Sequence, residues 1–497
     1  MPRPALEQLR GARYDVVVVG AGAVGCATAR ELAGRGFGVL LVDRADFGSG
    51  TSSRSSRMLY SGLGYLAARY PLWQMPLHPG DMIQRLFHTR AVMRCRAELV
   101  RDMPGHLTKH RFHYPFRAGD RYPPWLVDLG FRLTEALGGW KVPLAYRRRD
   151  VASAASESPL AAGLGGELTG IGVFEEYMYA WPERICVDTA LDAERLGCVA
   201  RTYTAVTGIE PRGAGWQVTL EERAPEAEGS VTVTCDVVIN ACGPWIDRLP
   251  GGGAGPRVRG VKGVNVMVRL PGGFRGQGLE AFSSRGEPFY VFPWRDLHFI
   301  GPTETVVSAD PDEVRVEEAE VDYVLEEANR LFPELALSRA DVVHCWCGVR
   351  PTSTLDGEST LLPVRVVESG PGLYAVTGST IMLHRHAARL AARAAERRLG
   401  RRSPPPRGAI ARPAPPATTA ELAQLVTREH VVRLGDLVRR RLPRGLDPDL
   451  GRDAARDLSA VLATAAGWSE ERRLAELRDF ETDTSRVYPA MPLPAPG

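Results

Sequence analysis

Two apolar runs near the start of the chain have the character of buried strands. Residues 14–19 and 38–42 are dominated by valine and leucine, and the stretch between them spaces its apolar residues as a helix does. Strands of a parallel sheet are covered on both faces and therefore read as continuous apolar runs. This order predicts a strand–helix–strand unit. Residues 235–240 form another apolar run, which predicts a further strand of the same sheet.

The pattern changes in the second half of the chain. Residues 257–347 are rich in strand-like segments, and residues 289–294 with 297–301 predict a hairpin. A helix is predicted over residues 317–331, inside this strand-rich region. Residues 403–416 are proline-rich and read as a linker, and helical spacing returns from residue 418 to residue 481. We therefore expect a small helical domain at the end of the sequence.

A glycine motif joins the first strand to its helix. Gly20, Gly22 and Gly25 form a G-x-G-x-x-G sequence with a strand before it and a helix after it, and Asp43 ends the next strand. In this context the glycines allow a tight turn, the approach of a pyrophosphate and close packing of helix on strand. The helix N-terminus attracts phosphate, and Asp43 can accept hydrogen bonds from a ribose. The motif predicts a bound dinucleotide and leaves FAD and NAD open.

A stretch rich in hydroxyl groups follows the second strand. Residues 48–56 read GSGTSSRSS, with six serine or threonine side chains and Arg54 among them. Such a sequence fits a linker, a nucleic-acid-binding loop or part of a cofactor cradle. Short hydroxyls and backbone N–H groups can satisfy phosphate oxygens without bulk. The position directly after a strand of the dinucleotide unit favours the cradle.

The composition narrows the classes of function. Of the 497 residues, 44% are hydrophobic and 24% are charged, and the net charge is +3, so nothing global favours nucleic acid. We find no apolar stretch of about 18 residues, which a membrane span needs, and the N-terminal residues lack the apolar core of a signal peptide. The eight cysteines have neither disulfide-like nor zinc-like spacing. We expect a cytoplasmic protein without a metal site.

Several longer segments resemble one family of enzymes. They are VVVVGAGAVGCATARELAGRG, DFGSGTSSRSSRMLYSGLGYL, VVINACGPWID, VRGVKG, VFPWRDLHFIGPTET, CGVRP, TGSTIMLHR and TREHVVRLGDLVRRRL. On these segments the chain resembles the FAD-dependent, aerobic-type glycerol-3-phosphate dehydrogenases, within the D-amino-acid-oxidase-like flavoprotein superfamily. The resemblance implies an α/β fold, α+β overall, in which a Rossmann-like FAD-binding domain is joined to a strand-rich substrate domain and a C-terminal helical domain.

The patterns and the resemblance together divide the chain into segments. The FAD-binding parts are predicted over residues 1–80, 186–256 and 348–402. The remaining segments are a helical, substrate-side segment over 81–185, a β-rich substrate domain over 257–347, a proline-rich linker over 403–417 and a C-terminal helical domain over 418–497.

The resemblance also implies which residues hold the cofactor, and it favours FAD over NAD. The loop over residues 49–56 would wrap the pyrophosphate, and Ala200 would meet the adenine through its backbone. The residues predicted to bind FAD are Gly20, Gly22, Gly25, Asp43, Arg44, Thr51, Ser52, Ser53, Ser55, Ser56, Ala200, Gly243, Gly378 and Ser379.

The chain departs from the family at positions that the family places around its substrate. Where relatives carry a His-Gly-Gly-Leu-Arg segment, this chain has Tyr60 for the histidine and Gly64 for the arginine. Thr380 stands for a lysine, and Val264 with Asn265 stands for a serine–histidine pair. Each cation lost from a phosphate pocket removes charge-assisted hydrogen bonds of about 1.5–3 kcal/mol. We therefore expect a substrate that is larger and less charged than glycerol 3-phosphate.

Three residues are candidates for catalysis. Arg350, in the GVRP turn, suits a substrate anion or a polarised oxygen near the flavin, and a structural salt bridge is the alternative. His384 is the candidate base, with a helix-surface histidine as the alternative. Tyr60 would donate a hydrogen bond in place of the histidine, although an aromatic packing role fits it equally well.

The resemblance leaves several functional questions open. The first hypothesis is an oxidoreductase that acts on a CH–OH group of a polyol or polyol phosphate and passes electrons to quinone or O2. The alternatives are an FAD-dependent amine or amino-acid oxidase and a non-catalytic flavoprotein. A homodimer is open, and the arginine runs within residues 393–402 and 439–441 leave peripheral contact with the inner face of the membrane open. We expect no nucleic-acid partner.

Overall fold

The strands of the protein were located in a computed structural model, which describes residues 2–61, 63–66, 74, 77–251, 256–353, 364–445 and 447–491. In chain order they are β1 (Arg13–Val19), β2 (Val39–Val42), β3 (Met58–Leu59), β4 (Leu107–Arg117), β5 (Arg147–Arg149), β6 (Leu168–Tyr179), β7 (Val199–Arg201), β8 (Thr204–Arg212), β9 (Gly215–Glu222), β10 (Ser230–Asn240), β11 (Val258–Val268), β12 (Gln277–Phe282), β13 (Pro288–Trp294), β14 (Leu297–Gly301), β15 (Thr305–Val307), β16 (Val342–Ser353), β17 (Arg365–Gly370) and β18 (Leu373–Thr377).

The α-helices are numbered in the same way. They are α1 (Ala23–Ala33), α2 (Leu63–Leu66), α3 (Pro79–Asp102), α4 (Pro124–Leu137), α5 (Val151–Glu157), α6 (Pro159–Ala162), α7 (Pro182–Arg195), α8 (Glu318–Leu331), α9 (His384–Leu399), α10 (Thr419–Arg428), α11 (Leu434–Asp436), α12 (Arg452–Ala466) and α13 (Glu470–Val487). A π-helical turn over Leu437–Arg441 follows α11 directly.

The first of two compact units comprises Met1–Ser55, Trp181–Gly260 and Arg350–Thr484. Its eight-stranded sheet has the order β17-β18-β10-β1-β2-β7, and β9 pairs with both β10 and β8. The strands β18, β10, β1, β2 and β7 run parallel to one another. Helices α1, α7 and α9 cover one face, and their many alanines let helix and sheet approach closely around a shared apolar core.

The register of the parallel strands places their carboxyl ends at one edge. Val19 of β1 lies opposite Val42 of β2 and Asn240 of β10, and Asn240 lies opposite Ala375 of β18. The turns that follow these four strands therefore meet at the same edge of the sheet. Ligands of open parallel sheets bind at such an edge.

The second unit comprises Ser56–Ala180, Val261–Val349 and Ser485–Gly497. Its ten-stranded sheet has the order β15-β11-β14-β13-β12-β4-β6-β3, with β16 beside β11 and β5 beside β6. The strand β12 runs parallel to β4, whereas β11, β14, β13 and β12 pair successively in antiparallel fashion. Aliphatic side chains on one face pack against Val321, Val324 and Leu325 of α8.

The residues after the proline-rich segment form helices with an apolar core of their own. Thr418 caps α10, since its hydroxyl accepts the Glu421 N–H, and Leu422, Leu437 and Leu462 are among the side chains that α10, the π-helical turn and α12 bury together. These residues belong to the first unit as far as Thr484. Among the residues that the structure describes, no helix is long and apolar enough to cross a membrane.

The arginine run at 439–441 lies against acidic residues of its own unit. Arg441 makes hydrogen bonds of 2.6 Å and 2.8 Å to the carboxylate of Asp46, and Arg440 bonds both Asp46 and Asp436. Arg439 pairs with Asp483 at 2.7 Å. The expectation that this run offers its charge to a membrane is therefore wrong, because its guanidinium groups are neutralised inside the unit.

Most of the elements predicted from the apolar pattern are confirmed. The structure has the strands expected near residues 14–19 and 38–42, the hairpin β13–β14 and the helix α8. The segment 81–185, for which helices were predicted, also contains the long antiparallel pair β4 and β6. The first half of β4 is polar and exposed on both sides of the chain, so its sequence lacks the alternation that would have indicated a strand.

Candidate functional site

The glycine turn after β1 depends on one left-handed residue. Gly20 has φ of +98°, and a Cβ atom there would lie 2.8 Å from the Ala241 carbonyl oxygen. Only glycine is compatible with this turn without movement of the backbone. The chain is extended at Gly22, and the 11-residue helix α1 begins at Ala23. The first N–H groups of α1, with their partial positive charge, therefore lie at the carboxyl edge of the sheet.

Asp43 follows β2 at the same edge. Its carboxylate accepts hydrogen bonds from the Ala21 N–H at 2.6 Å and from the Ala45 N–H at 2.8 Å. Burial raises the pKa of Asp43 to about 6, and these two hydrogen bonds oppose the rise. The group is thus mostly ionised at pH 7. Because each carboxylate oxygen has a second lone pair, Asp43 can still accept the hydroxyls of a ribose.

The serine-rich loop is tied to the glycine turn by two hydrogen bonds. The Gly48 N–H donates to the Ala21 carbonyl at 2.9 Å, and the Ala23 N–H donates to the Ser52 hydroxyl at 3.0 Å. A Cβ atom at Gly22 would lie 3.2 Å from that hydroxyl oxygen. The predicted loop and the predicted motif are therefore packed directly against each other.

The loop also has an internal turn. Residues Thr51–Arg54 form a short 3₁₀ helix, and the Ser53 hydroxyl donates to the Gly50 carbonyl at 2.7 Å. Ser55 continues from this turn in extended conformation. Ser56, the last hydroxyl of the predicted set, is the first residue of the second unit.

The turn after β10 places the Trp245 ring beside the serine-rich loop at this edge. A Cβ atom at Gly50 of the serine-rich loop would lie 3.0 Å from the Trp245 ring. The Arg44 guanidinium lies 5.3 Å from the centroid of the same ring, a cation–π distance. Gly243 has φ of +58°, and a Cβ atom there would meet no atom within 4 Å. The predicted residues Arg44 and Gly243 thus lie beside the loop, with open space above the glycine.

The other predicted cofactor residues are also at or next to the ends of parallel strands. Ala200 is fully buried on β7, opposite Leu41 of β2. Gly378 and Ser379 directly follow β18. Their roles in cofactor binding stay predictions, but their placement follows from the register of the sheet.

The chemistry of this edge fits a dinucleotide. It combines the start of a helix, an ionised carboxylate and several hydroxyls, which suit a pyrophosphate and a ribose. Several polar atoms in the first unit are buried and have no hydrogen-bond partner among the described residues, and three of them lie on the serine-rich loop or at and after the end of β18: Arg54 Nε, Thr377 Oγ1 and Thr380 Oγ1. Buried polar groups normally have a partner, so these atoms are consistent with a polar ligand.

Two of the three catalytic candidates lie in the first unit. Arg350 is on β16 with a half-buried side chain. His384 begins α9 and is 1% exposed, and its Nδ1 bonds the Ile381 carbonyl. Since a carbonyl only accepts, Nδ1 carries the proton and Nε2 has the free lone pair. Burial, helped by the charge of Arg385, lowers the pKa of His384 to about 4, so the imidazole is neutral at pH 7.

Tyr60, the third candidate, lies in the second unit and is buried. Its hydroxyl donates to Glu280 at 2.9 Å and accepts a hydrogen bond from the Gly64 N–H. Burial, together with the neighbouring Glu280, raises the pKa of Tyr60 well above its ordinary value. Tyr60 is therefore a neutral phenol and a hydrogen-bond donor at physiological pH.

Several residues that shape these regions were not among the predictions. Trp245 and Asp46 support the serine-rich loop, and Glu280 is a buried acid of the second unit. Glu280 stands between Leu279 and Ala281 in a strand, a pattern that ordinarily places the acid in solvent. Its burial depends on what covers the sheet, for which the local sequence has no signal.

The chain is similar to known proteins in both its sequence and its fold. The chain is 29% identical over 367 residues to a glycerol-3-phosphate dehydrogenase of Synechocystis sp., covering 71% of this chain and 63% of that one. It is 30% identical over 345 residues to a D-erythritol 1-phosphate dehydrogenase of Brucella abortus, covering 68% of this chain and 63% of that one. The chain thus matches less than two thirds of the length of either relative.

The fold is similar to that of solved flavoproteins. A glycerol-3-phosphate dehydrogenase from Bacillus halodurans, solved with FAD, superposes with a TM-score of 0.75 at 20% identity, over 99% of this chain and 98% of that one. A glycine oxidase from Geobacillus kaustophilus superposes with a TM-score of 0.56 at 23% identity, over 81% and 100%. At these identities the likeness establishes the α/β fold with its Rossmann-type sheet.

The family is settled by a match over most of the chain. Residues 15–394 fit the model of the family described as FAD dependent oxidoreductase. The match spans β1, the glycine motif, the serine-rich loop, the β-rich second unit and α9. The cofactor is accordingly FAD, as predicted. The chain belongs to the FAD-dependent oxidoreductase family.

Proposed function

We propose that the protein is a dehydrogenase or oxidase that oxidises a CH–OH group of a polyol or a polyol phosphate. The observation that carries this proposal is the similarity, over 68–71% of the chain, to relatives named for glycerol 3-phosphate and D-erythritol 1-phosphate. The complete cradle at the edge of the parallel sheet supports a catalytic rather than a purely structural protein.

The reaction divides into a hydride and a proton. The carbon loses a hydride and the hydroxyl oxygen loses a proton, which leaves a carbonyl group on the substrate. FAD, when bound, supplies the two-electron acceptor for the hydride. Quinone or O2 is the class of oxidant that would restore it. The protein must hold the substrate, orient its C–H bond and receive the hydroxyl proton.

Arg350 is proposed to hold the substrate end that carries negative charge, or the oxygen on which charge develops. It stands in the GVRP segment, which the structure places within the strand β16 rather than in a turn, and its half-buried side chain suits contact with a small molecule. A guanidinium offers two parallel N–H donors to a phosphate or an oxyanion.

His384 is proposed as the base. Its Nδ1–H is fixed by the Ile381 carbonyl, so that Nε2 is the atom available for a proton. The low pKa, about 4, keeps Nε2 unprotonated at pH 7 but makes it a weak base. Such a weak base cannot deprotonate the substrate hydroxyl to an alkoxide before the hydride leaves. It accepts the hydroxyl proton while the C–H bond is breaking.

The replaced positions support a substrate other than glycerol 3-phosphate. Tyr60, Gly64 and Thr380 carry no positive charge at positions where the resemblance implies histidine, arginine and lysine. Arg350 remains. Arg350 as a phosphate-binding cation, together with uncharged residues at the three replaced positions, favours a longer polyol chain over the three-carbon chain of glycerol 3-phosphate.

The proposal is tested by anaerobic titration of the purified flavoprotein. We expect the flavin absorbance to be bleached by polyols or their monophosphates of four or more carbons, and more slowly by glycerol 3-phosphate. Reduction by amines or amino acids alone would instead support an amine oxidase. Bound flavin that none of these compounds reduces would contradict the proposal.

The role of Arg350 is tested in the same assay. Arg350→Ala should lower kcat/KM by roughly 10- to 150-fold, the loss expected for charge-assisted hydrogen bonds of 1.5–3 kcal/mol, while FAD stays bound. Arg393→Ala, at an exposed position of α9, is the matched control. Full activity of Arg350→Ala would refute its role.

Peripheral membrane contact and a homodimer are further proposals. The exposed arginines at 393, 397, 398, 401 and 402 are the part of the chain's positive charge that faces outward near α9. Sedimentation with anionic vesicles would test the first and light scattering the second.

A further inference from the structure

The sheet of the second unit has two chemically different faces. On one face, Val264, Val266, Leu279 and Ile300 belong to the aliphatic core that includes α8. Side chains alternate along a strand, so the residues between these point to the opposite face. That face carries aromatic rings, among which Tyr290, Phe292 and Phe299 stack in sequence with centroids 5.0 Å and 4.7 Å apart.

Three polar side chains form a row across this aromatic face. Glu280 of β12 lies opposite Tyr290 of β13, and Tyr290 lies opposite Gly301 of β14. Val266 of β11 lies opposite Ile300, so the next pair along these antiparallel strands is Asn265 with Gly301. The row therefore reads Asn265, Gly301, Tyr290, Glu280. Gly301 contributes no side chain to the row, and a Cβ atom there would lie 2.5 Å from the Val264 carbonyl oxygen.

Two buried polar atoms of the row have no partner among the residues that the structure describes. Asn265 is 2% exposed and Glu280 is 5% exposed. Asn265 Oδ1 and Glu280 Oε2 are buried, and neither has a hydrogen-bond partner within the described part of the chain. An unsatisfied buried polar atom destabilises the folded state. Two of them in one row indicate a place where a ligand brings hydrogen-bonding groups.

The end of the row is closed by Tyr60. Its hydroxyl donates to the other oxygen of Glu280 and receives the Gly64 N–H. A Cβ atom at Gly64 would lie 2.5 Å from that hydroxyl oxygen. A side chain at position 64 would therefore require the Tyr60 ring to move, so glycine at 64 and tyrosine at 60 fit each other.

The charge of the row decides which chemical group it accepts. Asn265, Tyr290, Glu280 and Tyr60 include no cation, and Glu280 makes no ion pair in the residues described. Burial raises the pKa of Glu280 to about 8, an effect that Tyr60 opposes and Glu176 reinforces. A phosphate placed here would be a buried anion without a counter-charge, which is strongly unfavourable. A hydroxyl group donates and accepts one hydrogen bond each and suits every member of the row.

We propose that the row of Asn265, Tyr290 and Glu280, completed by Tyr60, is a specificity-determining subsite for the uncharged, hydroxyl-bearing end of the substrate. A substrate hydroxyl donates to Asn265 Oδ1, another accepts from the protonated Glu280 Oε2, and a phosphate is excluded from this position. The inference rests on the proposed oxidation of a CH–OH group and names the part of the substrate that this row would bind.

The test pairs a protein change with a substrate change. Asn265→Leu and Glu280→Leu are compared with the wild type in anaerobic flavin reduction by the preferred polyol substrate and by its deoxy analogues. Asn265→Leu should lower kcat/KM for the parent by about 5- to 100-fold, and this loss should disappear with the analogue that lacks the contacted hydroxyl. Glu280→Leu should show the same pattern with a different analogue.

The controls separate a subsite from a structural role. Flavin content and absorbance of the variants report whether they fold, and Glu334→Gln, an exposed acid of the same unit, should leave all rates unchanged. An equal loss with parent and deoxy compounds would overturn the subsite alone, because the enzyme would still oxidise alcohols. A wild type that no polyol or polyol phosphate reduces, or that only amines reduce, would overturn the proposed function and the subsite together.

Discussion

The two sheets present their polar groups in different ways. At the edge of the parallel sheet, recognition uses turns and backbone, with glycines where a side chain would collide and N–H groups at the start of α1. On the aromatic face of the second sheet, recognition would use side chains that stand in a row on separate strands. A surface built of backbone keeps its ligand through many side-chain changes, whereas a surface built of side chains changes its ligand with them.

The largest expected effect comes from a substitution in the glycine turn at the edge of the parallel sheet. A Cβ atom at Gly25 would overlap the carbonyl oxygen of Gly20, so Gly25→Ala must displace the glycine turn. We expect purified Gly25→Ala to lose its FAD absorbance. Gly38→Ala is the matched control, because its Cβ atom would meet Asp15 no closer than 3.7 Å and should leave the flavin content unchanged. Full occupancy in Gly25→Ala would show that the turn does not hold the cofactor.

A smaller effect is expected from the ion pairs behind the serine-rich loop. Asp46 and Arg441 are each fully buried at the side chain. Burial would raise the pKa of Asp46, but Arg441 and Arg440 outweigh this and hold the pKa below its ordinary value. Arg440 still pairs with Asp46 in Arg441→Met, so the free energy of unfolding should fall by at most the about 3–5 kcal/mol expected for a wholly unpaired buried charge.

Denaturant unfolding followed by circular dichroism and flavin fluorescence measures this loss. Arg393→Met makes the same change at an exposed position and should shift the midpoint by little. Equal midpoints for the two variants would mean that the tail contributes no stability to the unit that carries the cofactor.

The smallest effect distinguishes the second surface by its response to pH. Glu280 has a pKa of about 8 in the folded chain against an ordinary value of 4.5. Between these values the folded state binds more protons than the unfolded state. The stabilisation is therefore complete below about pH 4.5 and is lost as pH rises toward 8, by up to roughly 1.4 kcal/mol per pH unit.

Glu280→Gln removes this proton linkage. The stability difference between wild type and variant should shift toward the variant as pH rises from 5 to 8, while Glu334→Gln should follow the wild type throughout. Of the titratable groups that face Glu280, Tyr60, Tyr290 and Tyr114 stay protonated over this range because burial raises their pKa values. Burial also raises the pKa of the neighbouring Glu176, which is present in both wild type and variant. Parallel curves for wild type and Glu280→Gln would show that Glu280 titrates normally.

The contrast between the two surfaces also explains what the sequence could predict. Gly20, Asp43 and Ser52 lie within 33 consecutive residues, and their spacing alone implies a shared edge of the sheet. Asn265, Tyr290 and Glu280 become neighbours only through the register of four strands. The register of the strands is set by packing of the whole sheet, so no local sequence pattern predicts that these residues form a row.

The same reasoning applies to the tail. Its helices were predicted from their periodicity, but the partners of Arg440 and Arg441 were not, because the residue that they contact is 394 and 395 positions earlier. A run of arginines read alone resembles a solvated or membrane-facing surface. Only the fold shows that it neutralises an acid beneath the cofactor loop.

That distance along the chain has a consequence for how the protein is made. Asp46 leaves the ribosome early, yet the guanidinium groups that neutralise it are 394 and 395 residues downstream. At a synthesis rate of 5–20 residues per second, the interval is roughly 20–80 s. Until then the first strands lack the counter-charge of their buried acid. The first unit can therefore bury Asp46 as an ion pair only after the last helices emerge.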